Sequence, residues 1–151
     1  MQRSRVALAL SLIILGLAVG GCSGAATSSV LPVSPVPSGA PSTRIVVQLT
    51  DALRIDPGVI SVPAGVPVTF VVTNAGAIEH EFFIGDEAAQ SKHESEMQMA
   101  GMHEDPNGIT LKAGETKELT HVFVGGGSNI AGCHVVGHYG GGMKATITVA
   151  G

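Results

Sequence analysis

Short runs of aliphatic and β-branched residues fill the chain from residue 44 onward, and turn signals rich in Gly and Pro separate them. In the run at residues 67–73 the apolar side chains of Val68, Phe70 and Val72 share one face, as in a half-buried strand. No long segment with the period of a helix interrupts this pattern. The pattern predicts an all-β fold, an antiparallel sandwich of about seven to eight strands. The predicted strands are residues 44–50, 59–62, 67–73, 78–84, 109–112, 116–124 and 144–149.

The amino end differs in character from the rest of the chain. Two arginines within residues 1–5 precede an uncharged apolar run at residues 6–19, which is shorter than the roughly 20 residues of a membrane-spanning helix. The run is followed by Gly-Gly-Cys22 and resembles the bacterial lipobox, in which the cysteine is lipidated and becomes the new amino terminus. We expect residues 1–21 to be a lipoprotein signal peptide and Cys22 to carry the lipid. The alternative is an ordinary signal peptide with a chance cysteine near its cleavage point.

The segment after Cys22 has the composition of a linker. Residues 23–43 contain four prolines, several serines and glycines, and no charge, so no face of this segment can be buried. We expect residues 22–43 to be the lipidated cysteine plus a semi-extended linker, and residues 44–151 to be one domain. The linker is either a tether that lets the domain reach partners or a plain spacer. The protein is then expected to be exported and held on a bacterial membrane, facing the periplasm or the cell exterior.

Charge and aromatic content limit the partners and the core. Eight basic and twelve acidic residues give a net charge of −4, and loss of Arg3 and Arg5 with the signal leaves −6. Nucleic acids are held mainly through Lys and Arg, so nucleic acid is excluded as a partner. Five aromatic residues and no Trp predict a small, aliphatic core.

One acidic insert does not fit the strand pattern. Residues 85–108 hold six acidic residues, too many for a core segment, and the segment is too long for a hairpin turn. Two interpretations are open. The insert either captures copper as an auxiliary site, or forms a solvated loop or short helix whose methionines pack back on the sandwich, which we favour. The residues in question are His93, His103, Met97, Met99 and Met102.

Cys133 has no disulfide partner once Cys22 is lipidated, so its presence in an exported protein needs another explanation. It begins the pattern Cys-x4-His-x4-Met, completed by His138 and Met143, on a Gly-rich loop before the last strand. His and Cys with a weak axial Met form the ligand set that selects copper for electron transfer. One further imidazole is needed, and His80 on an earlier strand is the leading candidate. His80 would fasten the terminal loop to the opposite part of the sandwich.

The order of these four residues resembles the ligand pattern of the cupredoxins, the blue type 1 copper proteins that include plastocyanin and azurin. The resemblance covers about residues 45–150 and is greatest to small bacterial envelope cupredoxins linked with copper tolerance. It implies a Greek-key β-sandwich, one copper ion that alternates between Cu(I) and Cu(II), and no turnover of a substrate. Many members carry Asn after the first His, where this chain has Glu81. The resemblance implies as equatorial ligands His80, Cys133 and His138, and as axial ligand Met143.

Two other histidines are not expected to bind the ion. His134 adjoins Cys133, and successive residues of an extended chain point to opposite sides. His121 lies on the same face of its strand as Leu119 and Phe123, so we expect a structural role for it.

Two functions follow for a monomeric, lipid-anchored copper protein. It either transfers electrons between redox protein partners of the cell envelope, or binds copper for tolerance or delivery together with copper-handling proteins. In the first case the edge of His138 would carry the electron, and Tyr139 with residues 140–142 would form the docking rim. An enzyme is not expected, because copper oxidases and nitrite reductases need additional copper sites with many more histidines. A sandwich for adhesion, without metal, is the remaining alternative.

Overall fold

The computed structural model of the protein describes residues 43–101, 103 and 105–151. The predicted signal peptide, the lipidation site Cys22 and the linker up to residue 42 lie outside the described residues. The described part of the chain contains nine strands and one helix. In chain order they are β1 Thr43–Thr50, β2 Arg54–Asp56, β3 Val59–Pro63, β4 Pro67–Asn74, β5 His80–Gly85, α1 Glu87–Ala100, β6 Gly108–Leu111, β7 Thr116–Val122, β8 Gly127–Gly132 and β9 Lys144–Ala150.

The strands form two mixed sheets, one with the order β2-β1-β4-β7 and one with the order β3-β9-β8-β5-β6. The predicted β-sandwich is confirmed, but its purely antiparallel arrangement is wrong, because β1 pairs with β4 and β3 with β9 in parallel. Side chains alternate between faces in both kinds of pair, so the sequence pattern reports the buried face and not the direction of pairing. The chain repeatedly crosses from one sheet to the other, as Greek-key connections do.

The core lies between the two sheets and follows the predicted alternation. Val68, Phe70 and Val72 of β4 are fully buried, and alternate residues of β9 face them from the other sheet. The Phe70 ring lies 5.4 Å from that of Phe82 on β5, measured between centroids, which joins the two layers. Burial of this aliphatic and aromatic surface, worth about 25 cal/mol per Å², is the main force that holds the sheets together.

Helix α1 makes up most of the acidic insert at residues 85–108. Asp86 caps the amino end by accepting a hydrogen bond from the Ala89 N–H at 2.8 Å, and Gly101 ends the helix with a φ of +74°. The buried face of the helix consists of Gln90, His93 and Met97. Because two of these three residues are polar, the helix has no apolar stripe that the sequence pattern could reveal. Among the described residues no helix is both long and apolar enough to cross a membrane.

Candidate metal centre

The start of β5 and the end of β8 lie side by side in the five-stranded sheet. These strands run antiparallel and pair Phe83 with Gly132. His80, which begins β5, and Cys133, which follows β8, therefore share one end of the same sheet. The expectation that His80 would reach across from the opposite part of the sandwich is wrong. It arose because β8, the neighbour of β5, was not recognised in the sequence.

The loop from Cys133 to Met143 folds back on itself through main-chain hydrogen bonds. The Cys133 N–H donates to the Met143 carbonyl at 3.2 Å, and the Met143 N–H donates to the His138 carbonyl at 3.0 Å. Gly137 and Gly142 have φ values of +84° and +97°, which glycine adopts without a steric penalty. The loop thus gathers three of the predicted ligand residues at one end of the sheet.

Three donor atoms of the predicted ligands form a compact triangle. The Nδ1 atoms of His80 and His138 are 3.2 Å apart, and Cys133 Sγ lies 3.9 Å and 3.4 Å from them. The point equidistant from the three atoms is about 2 Å from each, which is close to the length of metal–imidazole and metal–thiolate bonds. Met143 is fully buried, and its main chain forms hydrogen bonds with the main chains of Cys133 and His138. The triangle therefore has the size of a site for one ion.

A carboxylate orients the first imidazole. His80 is fully buried, and its Nε2 lies 3.1 Å from Asp51 Oδ1 in the turn between β1 and β2. The Nε2–H of His80 donates to this carboxylate, which leaves Nδ1 with a free lone pair facing the triangle. Asp51 also accepts from the Ala77 N–H at 2.8 Å, and this bond, with that from His80, lowers the pKa of its carboxyl group. Asp51 was not recognised in the sequence, since nothing local marks it.

The thiol of Cys133 is buried and has a further polar neighbour besides the imidazoles of His80 and His138. Its side chain is fully buried, and the Glu81 N–H donates to Sγ at 3.2 Å. Burial raises the pKa of Cys133 to about 11 in the protein without metal, and this hydrogen bond opposes the rise. A metal ion must therefore displace the thiol proton when it binds. Burial and the neighbouring His80 lower the pKa of His138, which favours the neutral imidazole that a metal needs.

Glu81 links the donor triangle to helix α1. Its carboxylate Oε1 lies 2.9 Å from His93 Nε2, and its Oε2 accepts from the His134 N–H at 3.1 Å. Glu81 is only 2% exposed, so these partners replace the water that a carboxylate would otherwise bind. Glu81, at the position where many cupredoxins have Asn, thus connects strand β5, helix α1 and the loop that begins at Cys133.

His134 points away from the donor triangle, as expected. Its ring contacts Glu94 through Nδ1 and Gln90 Oε1 through Nε2 at 2.7 Å, both on helix α1. It also stacks on Tyr139, with ring centroids 4.5 Å apart. His121 of β7 lies beside Phe123, which directly follows the strand, and partial burial lowers the pKa of His121. Both histidines are outside the donor triangle.

The methionines of the insert differ in how far they are buried. Met97 is 7% exposed and packs back on the sandwich, in line with the favoured interpretation of the insert, whereas Met99 is 82% exposed. Met102 and Glu104 lie outside the described residues.

The donor set fits copper. Two imidazoles and a thiolate, with a buried thioether at the same end of the sheet, combine borderline and soft ligands. Hard cations such as Mg²⁺ and Ca²⁺ prefer oxygen ligands, and the triangle offers none. A two-sheet sandwich with such a site defines the class of the cupredoxins. The structure shares 28% identity and a TM-score of 0.66 with reduced auracyanin from Roseiflexus castenholzii, over 75% of this chain and 100% of that chain.

Sequence comparison narrows the class to one family. The chain is 38% identical to the copper-resistant cuproprotein CopI of Rubrivivax gelatinosus, in an alignment that covers 68% of this chain. It is also 38% identical to CopI of Vibrio cholerae, in an alignment that covers 75% of this chain. The alignments span 64% and 69% of those two proteins, respectively. No family model matches the chain. The chain belongs to the CopI family of copper-resistant cuproproteins, which confirms the predicted cupredoxin class. Copper is thus the cofactor that both the donor set and the family indicate.

Proposed function

We propose that the protein holds one copper ion in a type 1 centre and uses it in the cell envelope without turning over a substrate. The ligands are His80, Cys133 and His138 in the equatorial plane and Met143 as the axial ligand. The observation that carries this proposal is the triangle of donor atoms, whose edges of 3.2, 3.4 and 3.9 Å surround a point at bonding distance from all three. When bound, copper supplies a one-electron couple between Cu(I) and Cu(II).

Electron transfer is the function that this geometry supports best. The donor atoms are already gathered, and the fold holds them through Asp51, the Glu81 N–H and the main-chain bonds of the loop. A site held in this way needs little rearrangement when the charge of the ion changes. His138 is 9% exposed, and the loop around it carries exposed glycines and Val136, which is 87% exposed. This loop offers an exposed surface on which a redox protein partner could dock.

Copper tolerance is the second candidate, and the names of the relatives favour it. Proteins called copper-resistant cuproproteins share 38% identity with this chain over most of the described residues. In this role the protein retains or delivers copper, and its partners are copper-handling proteins of the envelope. In both roles we propose a monomer that is exported, lipidated on Cys22 and tethered by residues 22–43 to a bacterial membrane, facing the periplasm or the cell exterior.

Absorption spectroscopy tests the type 1 centre. Addition of one equivalent of Cu(II) to the metal-free protein should give an intense visible band from charge transfer between the Cys133 thiolate and copper. The band should be absent in Cys133→Ser and retained in His121→Ala, which removes a histidine outside the triangle. A colourless wild-type protein, or a band that survives in Cys133→Ser, would contradict the proposal.

Kinetic measurements separate the two roles. Fast, reversible electron exchange of the loaded protein with small redox mediators supports the carrier. Slow exchange together with transfer of copper to a competing chelator or acceptor protein supports tolerance or delivery.

A further inference from the structure

The side chain of Gln90 on helix α1 contacts the residues on both sides of Cys133. Gln90 is fully buried, and its Oε1 lies 2.7 Å from Nε2 of His134. A Cβ atom on Gly132 would approach the same Oε1 to 2.6 Å, so the space directly before Cys133 is occupied by this oxygen. We propose that Gln90 is a positioning residue for the copper centre, which holds the Cys133 thiolate in place through His134. This inference rests on the proposed type 1 centre, because it concerns how one of its ligands is held.

The amide group of Gln90 can take only one orientation. Its Nε2 donates to the Ile130 carbonyl at 2.8 Å and lies 3.4 Å from the Phe83 carbonyl. Carbonyl oxygens only accept hydrogen bonds, so the NH2 group of Gln90 faces the sheet and Oε1 faces His134. The Nε2–H of His134 therefore donates to this oxygen. One side chain thus connects strands β5 and β8 to the start of the ligand loop.

His134 can transmit this contact because its main chain and its ring are both held. Its main-chain N–H donates to Glu81 Oε2 at 3.1 Å, and its Nδ1 contacts Glu94 of helix α1. Its ring stacks on Tyr139, which directly follows His138 in the ligand loop. A movement of the His134 ring would therefore displace the neighbouring thiolate relative to the imidazole of His138.

The place of the sulfur atom matters for the properties of the centre. Cys133 Sγ lies 3.4 Å from Nδ1 of His138 and 3.9 Å from Nδ1 of His80. The bond between copper and thiolate gives the visible band, and the surroundings of the sulfur tune the reduction potential. A residue that only anchors the helix would change the free energy of unfolding and leave the spectrum of the folded, copper-loaded protein unchanged. A positioning residue changes the spectrum and the potential as well.

Gln90→Leu tests the role, because leucine removes the amide without adding a ligand for copper. We expect the thiolate band and the reduction potential of the copper-loaded variant to shift. The copper affinity should fall by about 10- to 100-fold, as it does when other contacts behind metal ligands are removed. In the metal-free full chain, the amide hydrogens of Cys133 and His134 should exchange at least about fivefold faster than in the wild type, because the loop opens more readily.

A double variant tests whether Gln90 acts through His134. His134→Phe keeps an aromatic ring beside Tyr139 but removes the nitrogen that donates to Gln90. It should shift the thiolate band, and addition of Gln90→Leu should shift the band no further than His134→Phe alone. Gln48→Leu changes an exposed glutamine on β1 and is the matched control. It should have the band, the affinity and the amide exchange of the wild type.

The inference is overturned if folded Gln90→Leu has the thiolate band, affinity and amide exchange of the wild type, or if the two shifts add in the double variant. If Gln90→Leu does not fold, His134→Phe decides, and an unshifted band in that variant overturns the inference. A colourless wild type would contradict the type 1 centre instead. Amide exchange in the metal-free proteins then decides the positioning role: faster exchange in Gln90→Leu supports it, and unchanged exchange overturns it.

Discussion

Asp51 decides which nitrogen of His80 is available to the ion. Its carboxylate accepts the Nε2–H at 3.1 Å, so the ring presents Nδ1 to His138 and Cys133. Asp51 belongs to the four-stranded sheet side of the sandwich, in the turn after β1, whereas the donor triangle belongs to the five-stranded sheet. The hydrogen bond between Asp51 and His80 is thus a contact that connects the four-stranded sheet to the site.

Replacement of Asp51 should weaken copper binding without removing a ligand. We expect Asp51→Ala to lower the affinity by about 10- to 100-fold, because the His80 ring loses its orientation and its tautomer is no longer fixed. A chelator competition titration measures the change. Asp56→Ala, an exposed aspartate on the neighbouring strand, is the control and should bind as the wild type does. An affinity of Asp51→Ala equal to that of the control would show that the carboxylate does not position the ligand.

The Cys133 thiol should make the metal-free protein sensitive to alkali. Burial raises its pKa to about 11, above the value of 9.0 for an exposed thiol. The raised pKa favours the neutral thiol in the folded state, so the free energy of unfolding falls as the pH rises from about 9 to 11. Denaturant titrations across this range measure the fall, and Cys133→Ser should lack this part of it. A thiol that ionises near pH 9 in the folded protein would contradict the structure.

At the scale of the elements, the ligand loop depends on close packing where β8 ends. A Cβ atom on Gly132 would lie 2.6 Å from Gln90 Oε1 of helix α1 and 2.8 Å from the Tyr139 ring. Gly132 thus lets the helix and the loop meet directly before Cys133. The same contact explains why β8, the central strand of the five-stranded sheet, ends with glycine.

Gly132→Ala should destabilise the protein by about 1–3 kcal/mol, because the helix or the loop must move to admit the methyl group. Displacement of the loop should also shift or weaken the thiolate band of the copper-loaded protein. Gly140→Ala is the control, because a methyl group at that position would have no other atom within 4 Å. It should change the free energy of unfolding by less than about 0.5 kcal/mol. Denaturant unfolding measures both variants, and equal values would contradict the contact.

Seven of the nine strands could be predicted because they are short runs of apolar and β-branched residues between turn signals, and in most of them side chains alternate between core and solvent. β2 has only three residues, and β8 carries two glycines and few apolar side chains, so neither has a readable pattern. For the insert, the sequence left a loop and a short helix open, because the buried face of helix α1 is largely polar. Spacing and ligand chemistry were enough to single out the three residues that the structure brings together in the donor triangle. Asp51 and the carboxylate of Glu81 could not, because their contacts join segments that only the tertiary structure brings together.

At the scale of the whole molecule, copper should stabilise the fold by closing the end of the five-stranded sheet. The proposed ligands join β5 to the loop between β8 and β9, and a ligand that binds only the folded state stabilises it by mass action. An excess of free Cu(II) of 1,000 times the dissociation constant adds about 4 kcal/mol, which corresponds to a rise in Tm of roughly 15–20 °C. Calorimetry of the loaded and chelator-treated protein measures the rise. His80→Ala should lose most of it, and equal Tm values with and without copper would count against the site.

The position of the copper itself tests the central claim most directly. Crystals of the protein loaded with one equivalent of copper, measured at the copper absorption edge, should show a strong anomalous peak among His80, Cys133 and His138. The peak should lie about 2 Å from the two Nδ1 atoms and slightly farther from Sγ. A strongest peak elsewhere, or one that His80 does not reach within bonding distance, would contradict the proposed type 1 centre.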